Sequence, residues 1–335
     1  MNKKIESLKE LMKINRDKLD TIKNIIDKVK KIAIVCHSNP DGDCIGSSMA
    51  LSLALKEYDS KYETTIICKK PFSTTYKSYE EYYEDGILKD FDLFIVLDSA
   101  AVDRVGEFYN KIDLSKAIVI DHHITNVGYG FYSWIDDFFI SASEMVFLFI
   151  VYLKDEFNDK EIYQHLLNGV LSDNGYYSHI RIDKPFSLLI SYEIILRGGD
   201  PLKTYNNMFN NNSIATEKLL AITLGRITPI YEEKVLYSYI YNSERADLGN
   251  PIFESGMLFR EMMSIKTTLI AIFFKINEEE DKISIGFRSR EETNDVSKIA
   301  AYFGGGGHKV AAAATINGTY EIIKEQVLKK VQEIL

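Results

Sequence analysis

Three cysteines, six prolines and one tryptophan in 335 residues leave little of those types, and 40 basic side chains fall short of 49 acidic ones. Each shortage excludes something. Cys36, Cys44 and Cys68 make neither a metal-type pair spacing nor a disulfide framework, which points to a reducing, cytoplasmic setting and to buried thiols. A formal charge of -9 argues against a broad basic face for long duplex DNA. It leaves room for a small anionic substrate held by metal ions and a few local donors. The charged N-terminus has no apolar core, so no secretory leader is expected. Long hydrophobic runs are missing too: the most apolar stretch, FFISASEMVFLFIVYL (138–153), carries Glu144 and is too short for a bilayer. It reads as a buried helix that starts at SASE, with Ser141 capping and Glu144 reaching back. No membrane partner is therefore expected.

What is present is ordinary soluble composition, 46% hydrophobic and 27% charged, at a length that suggests about two domains. Residues 1–30 place Ile5, Leu8, Met12, Leu19, Ile22, Ile26 and Val29 on one helical stripe, with Asn15 in its single gap. One long helix packed on the adjoining domain is expected, with a coiled-coil arm as the competing reading. From 32 to about 200, the apolar runs IAIVC, TTIIC, LFIVL and AIVI alternate with helix-like segments. That alternation predicts an α/β doubly wound parallel sheet, in which ligands sit beyond the carboxyl ends of the strands.

Acidic and imidazole residues stand at those ends. HSNPDGDCIGSS (37–48) follows the first run and brings His37, Asp41 and Asp43 together across a Pro-Gly turn. Asp98 follows LFIVL, Asp121, His122 and His123 follow AIVI, and Asp173 follows LLNGVL. A Pro-Gly turn with solvated carboxylates explains the first motif alone, and a helix cap explains a lone Asp. Four such sets at four element ends point instead to a metal site. Nitrogen and oxygen donors favour manganese, magnesium or iron over thiolate zinc. Two divalent ions about 3.5–4 Å apart need a bridging carboxylate, and such pairs activate water and clamp phosphate.

After residue 200 the alternation lapses. SIATEKLLAITLGRI (213–227) reads as a connector, and strands are expected at 235–242, 267–276 and 282–289 in a smaller α/β domain with a mixed sheet. FGGGGHKVAAAATI (303–316) then offers glycines able to aim several N–H groups at one anion. His308 stands beside them, Arg288 ends the preceding strand, and the alanines read as a tight helix. The expected layout is a metal-binding domain over 1–200, a helical linker over 201–228 and a substrate-binding domain over 229–335.

HSNPDGD, VLDSA, DHH and SDNG, in that order, resemble the four motifs of the DHH phosphoesterase superfamily, and GGGGH resembles its associated C-terminal domain. Size and ending resemble the nano-RNase type, the bifunctional oligoribonucleases and 3′-phosphoadenosine 5′-phosphate (pAp) phosphatases. The resemblance implies a hydrolase with two manganese ions and its site in the cleft between the domains. It implies His37 and Asp41 on one ion, Asp43, His122 and Asp173 on the other, and Asp98 bridging. Asn39 and His123 would contact the scissile phosphate or leaving oxygen, and Asp121 would orient an imidazole. Arg288, Gly305, Gly306, Gly307 and His308 would recognise the nucleotide and its terminal phosphate. The implied partners are short single-stranded RNA oligonucleotides, dinucleotides and pAp, with a homodimer as the assembly. Turnover of linear dinucleotides such as pApA is the competing activity, and a non-catalytic nucleotide-binding regulator the alternative outside enzymes. Asn174, Tyr176 and Tyr177 stand where the family often carries Thr and Arg, which leaves base and length preference open.

Overall fold

The computed structural model describes residues 7–335 apart from positions 88, 179 and 181. The chain divides after Asn211 into two compact units. That division falls inside the 201–228 stretch read as a linker: helix 201–209 belongs to the first unit and helix 214–225 to the second.

In the first unit the N-terminal stripe folds as two helices rather than one, α1 (Leu8–Ile14) and α2 (Arg16–Ile26). The break is Asn15, which is buried and donates its Nδ2–H to the Leu11 carbonyl at 3.0 Å. A buried amide needs a partner, and this one finds it on the turn that it interrupts. Leu8, Leu11, Leu19, Ile22 and Ile26 all lie in the core of the unit, so the stripe packs on its own domain. Ile5 lies outside the described residues.

Five parallel strands follow: β1 (Lys31–Val35), β2 (Glu63–Ile67), β3 (Leu93–Leu97), β4 (Ala117–Asp121) and β5 (Tyr132–Ile135). Their order is β2-β1-β3-β4-β5, which puts the topological switch point between the carboxyl ends of β1 and β3. Ile32, Ile34, Ile95, Leu97, Ile118 and Ile120 face the large core shared with α3 (Gly42–Tyr58), α4 (Ala142–Leu153), α5 (Lys160–Asp173) and α6 (Phe186–Leu196). α7 (Pro201–Phe209) completes this side. The alternate residues, such as Ala33, Val35, Val96 and Val119, face a smaller cluster closed by Val105, Phe108 and Ile112 from short 3₁₀ turns. α4 starts as its sequence predicts: Ser141 accepts from the Glu144 N–H at 3.2 Å. Glu144 reaches back one residue further than a capping box, accepting from the Ile140 N–H at 2.9 Å.

The second unit opens with α8 (Ile214–Gly225) and carries a six-stranded mixed sheet. β6 (Thr228–Ile230), β7 (Val235–Tyr241), β8 (Ile270–Asn277), β9 (Lys282–Ser289), β10 (Gly306–His308) and β11 (Ala311–Asn317) run in the order β10-β11-β9-β8-β7-β6. β7 and β8 are parallel, joined through α9 (Asn242–Asp247) and α10 (Ser255–Ser264); the other pairs are antiparallel. α11 (Val296–Tyr302) and α12 (Tyr320–Gln332) pack on one face. Leu219, Leu258 and Phe259 from α8 and α10 pack on the other.

The alanine run is strand β11 and not a helix, against its propensity. It pairs on both sides, Ala313 with Gly286 of β9 and Ala312 with Gly307 of β10. Helix propensity is a weak prior that tertiary pairing overrides. The glycines are likewise an edge strand: a Cβ at Gly307 would lie 2.5 Å from the Ala311 carbonyl oxygen and from Ala312 Cα, so only glycine permits this approach. Among the described residues no helix is long and apolar enough to cross a membrane.

Candidate metal centre

The first motif is a strand end, a turn and a helix start. Beyond β1, the His37 ring places Nδ1 3.0 Å from the Ser38 carbonyl; a carbonyl only accepts, so Nδ1 carries the hydrogen and Nε2 is the outward, ligand-ready nitrogen. Asn39, exposed and left-handed at φ 57°, turns the chain. Asp41 is the N-cap of α3, with Oδ1 accepting from the N–H groups of Asp43 and Cys44 at 3.1 and 3.0 Å. Its other oxygen lies 3.8 Å from His37 Nε2. The cap reading and the ligand reading of this residue thus use different oxygens of one carboxylate.

Asp43, fully buried in the first turn of α3, accepts from Ala142 N–H at 2.6 Å and Ser143 N–H at 2.8 Å. These are free N–H groups at the start of α4, where the helix dipole favours a carboxylate. The backbone of α3 meets that of α5 at two glycines. A Cβ on Gly46 would sit 2.5 Å from His165 O and 2.8 Å from Gly169 N. Asp43 lies three residues before Gly46 and Asp173 four after Gly169, each on the face that carries its glycine. The crossing therefore draws the two carboxylates to one place, where Asp43, His122 and Asp173 offer ligand atoms within 4.8 Å of one another.

Asp98 stands between the halves. It follows β3 in a left-handed conformation, φ 51°, and is 3% exposed. Oδ2 is 3.6 Å from His37 Nε2; Oδ1 is 3.4 Å from His122 Nε2 and 3.6 Å from His123 Nδ1. His122 Nε2 is also 3.2 Å from Asp173 Oδ2. The structure therefore brings His37, Asp41, Asp43, Asp98, His122 and Asp173 into one cluster at the switch point. His123 joins its rim, while Asn39 is on the exposed turn.

Asp121, the last residue of β4, orients an imidazole as expected, and that imidazole is His123. Its Oδ1 is 2.7 Å from His123 Nδ1, and Oδ2 accepts from Asn126 Nδ2 at 2.7 Å. Burial opposes the charge on Asp121, but the His123 and Asn126 bonds hold its pKa below the usual carboxylate value. Asn126 also donates to the Ser99 carbonyl at 3.0 Å, tying the third motif to the second. Sequence reasoning missed Asn126 and Ser143; only the SASE cap hinted at the latter. Asp121→Asn is expected to lower kcat about 10–100-fold with bound metal nearly unchanged, the usual cost of losing a partner behind a working imidazole. Steady-state rates alongside elemental analysis check it; metal loss equal to the rate loss would mean that Asp121 serves the ions instead.

The electrostatics call for positive charge. Burial, then the Asp98 charge, pushes Asp43 up to about 7, and burial with Asp43 and Asp98 raises Asp173 well above its ordinary value. Burial disfavours charged imidazoles, yet Asp41 and Asp98 lift His37 to about 11, and Asp98, Asp43 and Asp173 lift His122 to about 10. Protons here stand where cations belong. Asp98 Oδ1 and His122 Nε2 are buried without a hydrogen-bond partner, an arrangement costly unless a ligand completes it. An imidazole–carboxylate donor set with orphaned atoms fits divalent metal ions.

In the second unit, Arg288 of β9 and His308 of β10 flank Ala311 in one row of the sheet. The Arg288 guanidinium lies 4.8 Å over the Phe259 ring and donates to the Phe287 carbonyl at 2.9 Å. His308 and Gly305 to Gly307 are exposed. In the fourth motif Tyr176 is spent on packing: its hydroxyl donates to the Pro201 carbonyl at 2.8 Å and its ring meets Tyr205 and Phe209 edge-on.

Residues 31–172 match the DHH family, N-terminal domain, and residues 232–335 match the DHHA1 domain. The chain is similar to the bifunctional oligoribonuclease and PAP phosphatase NrnA of Thermus thermophilus, 27% identical over 95% of each chain. It is also similar to the protein of that name from Bacillus subtilis, 24% identical over 84% of this chain and 87% of that one. An exopolyphosphatase-related protein from Bacteroides fragilis shares the fold, with a TM-score of 0.82 at 22% identity over 95% of this chain and 96% of that one.

Proposed function

We propose that this chain, which belongs to the DHH family and is a phosphoester hydrolase, uses two manganese ions to cleave short RNA oligonucleotides to mononucleotides and pAp to AMP. The observation that carries the reading is Asp98, a buried carboxylate with one oxygen turned to each half of the cluster and Oδ1 without a hydrogen-bond partner. His37 and Asp41 would hold one ion, Asp43, His122 and Asp173 the other, and Asp98 both. The ions supply an activated water and charge neutralisation at the phosphate. The protein fixes the donors: the α4 N-terminus aims Asp43, the α3 cap aims Asp41, and the Ser38 carbonyl sets the His37 tautomer. His123, held by Asp121, is positioned to donate to a phosphate or leaving oxygen, and Asn39 to touch the scissile phosphate. No residue needs covalent modification.

The names carried by the relatives support oligoribonucleotides and pAp as the substrate class. The second unit would select the substrate through Arg288, Gly305 to Gly307 and His308, because a metal centre by itself cleaves phosphates generally. Arg288→Ala should raise KM for nucleotides about 10–100-fold, the worth of one charge-assisted hydrogen bond, and leave metal content alone. Unchanged kinetics on every nucleotide tried would remove Arg288 from the site. Three free, buried thiols support a reducing cytoplasm as the setting.

The deciding experiment offers RNA dimers to pentamers, pAp, pApA and pyrophosphate to the purified chain with and without manganese. Manganese-dependent release of mononucleotides from the shortest RNAs, and of AMP from pAp, is expected. Cleavage of pApA alone would favour dinucleotide turnover, and of pyrophosphate alone would overturn the role given to the second unit. Silence on the whole panel with metal bound would favour a regulator.

A further inference from the structure

We propose that Cys44 makes the His37 half of the centre a nitrogen–oxygen–sulfur site that takes a thiophilic divalent ion such as zinc or cadmium. The proposal rests on the metal reading given above and adds a ligand to it. Cys44 Sγ, a His37 ring nitrogen and an Asp98 carboxylate oxygen lie within 4.8 Å of one another, a spread that one ion can gather, and all three residues are buried. The other two thiols are spent on the backbone. Cys36 Sγ donates to the Cys44 carbonyl at 3.8 Å, and Cys68 Sγ donates to the His37 carbonyl at 3.2 Å. A second observation points to a ligand: Asp98, only 3% exposed, keeps Oδ1 without a hydrogen-bond partner. Affinity for imidazole and carboxylate already rises from manganese towards zinc, and a sulfur donor steepens that order. The sulfur–metal bond forms as the thiol proton leaves to solvent, and no electron is transferred. Manganese would ignore the thiol, whereas zinc or cadmium would be retained at this half of the centre.

The test uses the full chain, stripped of metal with a chelator and titrated with Cd2+ and, separately, Mn2+, while ultraviolet absorption and bound metal are followed. Cd2+ should produce a sulfur-to-metal charge-transfer band that vanishes in Cys44→Ala and survives in Cys36→Ala. Cd2+ affinity in Cys44→Ala should fall about 10–100-fold, with Mn2+ affinity as in the wild type. Should Cys44→Ala not fold, X-ray absorption of the Zn2+-loaded wild type reads the same point, through a sulfur neighbour at about 2.3 Å. Cd2+ bound without the band, the band persisting in Cys44→Ala, or zinc without a sulfur neighbour overturns the role of Cys44 while leaving the metal centre intact. Failure of Mn2+ and Cd2+ alike to bind overturns both readings.

Discussion

Asp98→Asn is expected to reduce turnover about a thousandfold or more while the protein stays folded. The carboxylate is buried at the end of β3, with one oxygen 3.6 Å from His37 Nε2 and the other 3.4 Å from His122 Nε2. Asn has nearly the same shape and tolerates the left-handed φ of 51° at least as well as Asp. The substitution therefore tests charge and donor type with little steric change. A metal pair that loses its shared negative charge loses several kcal/mol of stabilisation, and each 1.36 kcal/mol is about tenfold in rate. Folding stability should move little or even rise without metal, because Asp98 is among the charges that push Asp43 and Asp173 up. Three readouts separate the outcomes: rates on the shortest RNA with manganese, manganese per chain, and the thermal unfolding midpoint. Wild-type activity with full manganese would sink the bridging role, and a collapsed midpoint would make Asp98 a folding residue first.

Gly169→Ala should weaken metal binding about 10–100-fold and lower the unfolding midpoint by several degrees, opposite to what propensity forecasts. In the middle of α5, alanine is worth roughly 1 kcal/mol more than glycine. Here the added methyl would overlap Ser143 Oγ and stand 2.9 Å from Ser143 Cβ and 3.1 Å from Asp43 Oδ1. Overpacking a closed interior costs about 1–3 kcal/mol, so sterics outweigh the propensity gain. The damage reaches the centre because Ser143 N–H is one of the two donors aiming Asp43. Pairing Gly169→Ala with Ser143→Gly removes the clashing atoms and should restore part of both losses. The double-mutant cycle, read by manganese titration and thermal melts, isolates that coupling. A Gly169→Ala protein more stable than wild type with unchanged metal affinity would show the crossing to be looser than these distances.

The parallel sheet and the residues of the centre were legible because both follow from local chemistry. Four apolar runs alternating with helical segments dictate β1 to β4, and polar residues that end such runs fall on the carboxyl edge of the sheet. His37, Asp98 and His122 could be named on that basis, and Ser141 was readable as a cap because capping is settled within three residues. Features that depend on distant contacts were not legible. Asn15 breaks a continuous apolar stripe by bonding to Leu11 O, and nothing in the spacing separates a break from a tolerated polar residue. The run Ala311–Ala314 has helical composition, but its place between β9 and β10 makes it a strand. Asp121 read as an orienter, whereas the imidazole it orients depends on which ring lies 2.7 Å away.

By itself, then, the sequence determined the donor inventory: imidazoles and carboxylates, at element ends, in a chain with no basic excess and no disulfide framework. Residue type and backbone period are local properties, and the alternation of strand and helix sends those ends to one edge. The tertiary structure decided which donors meet. The glycine-mediated crossing of α3 and α5 brings Asp43 to Asp173, the α4 N-terminus turns Asp43 inward, and the strand order puts His37 and Asp98 on adjacent strands. Those meetings come from packing between segments about 100 residues apart, as in the Asp43–Ser143 bond, where close approach depends on the absence of a single methyl group at Gly169. No local pattern carries that information.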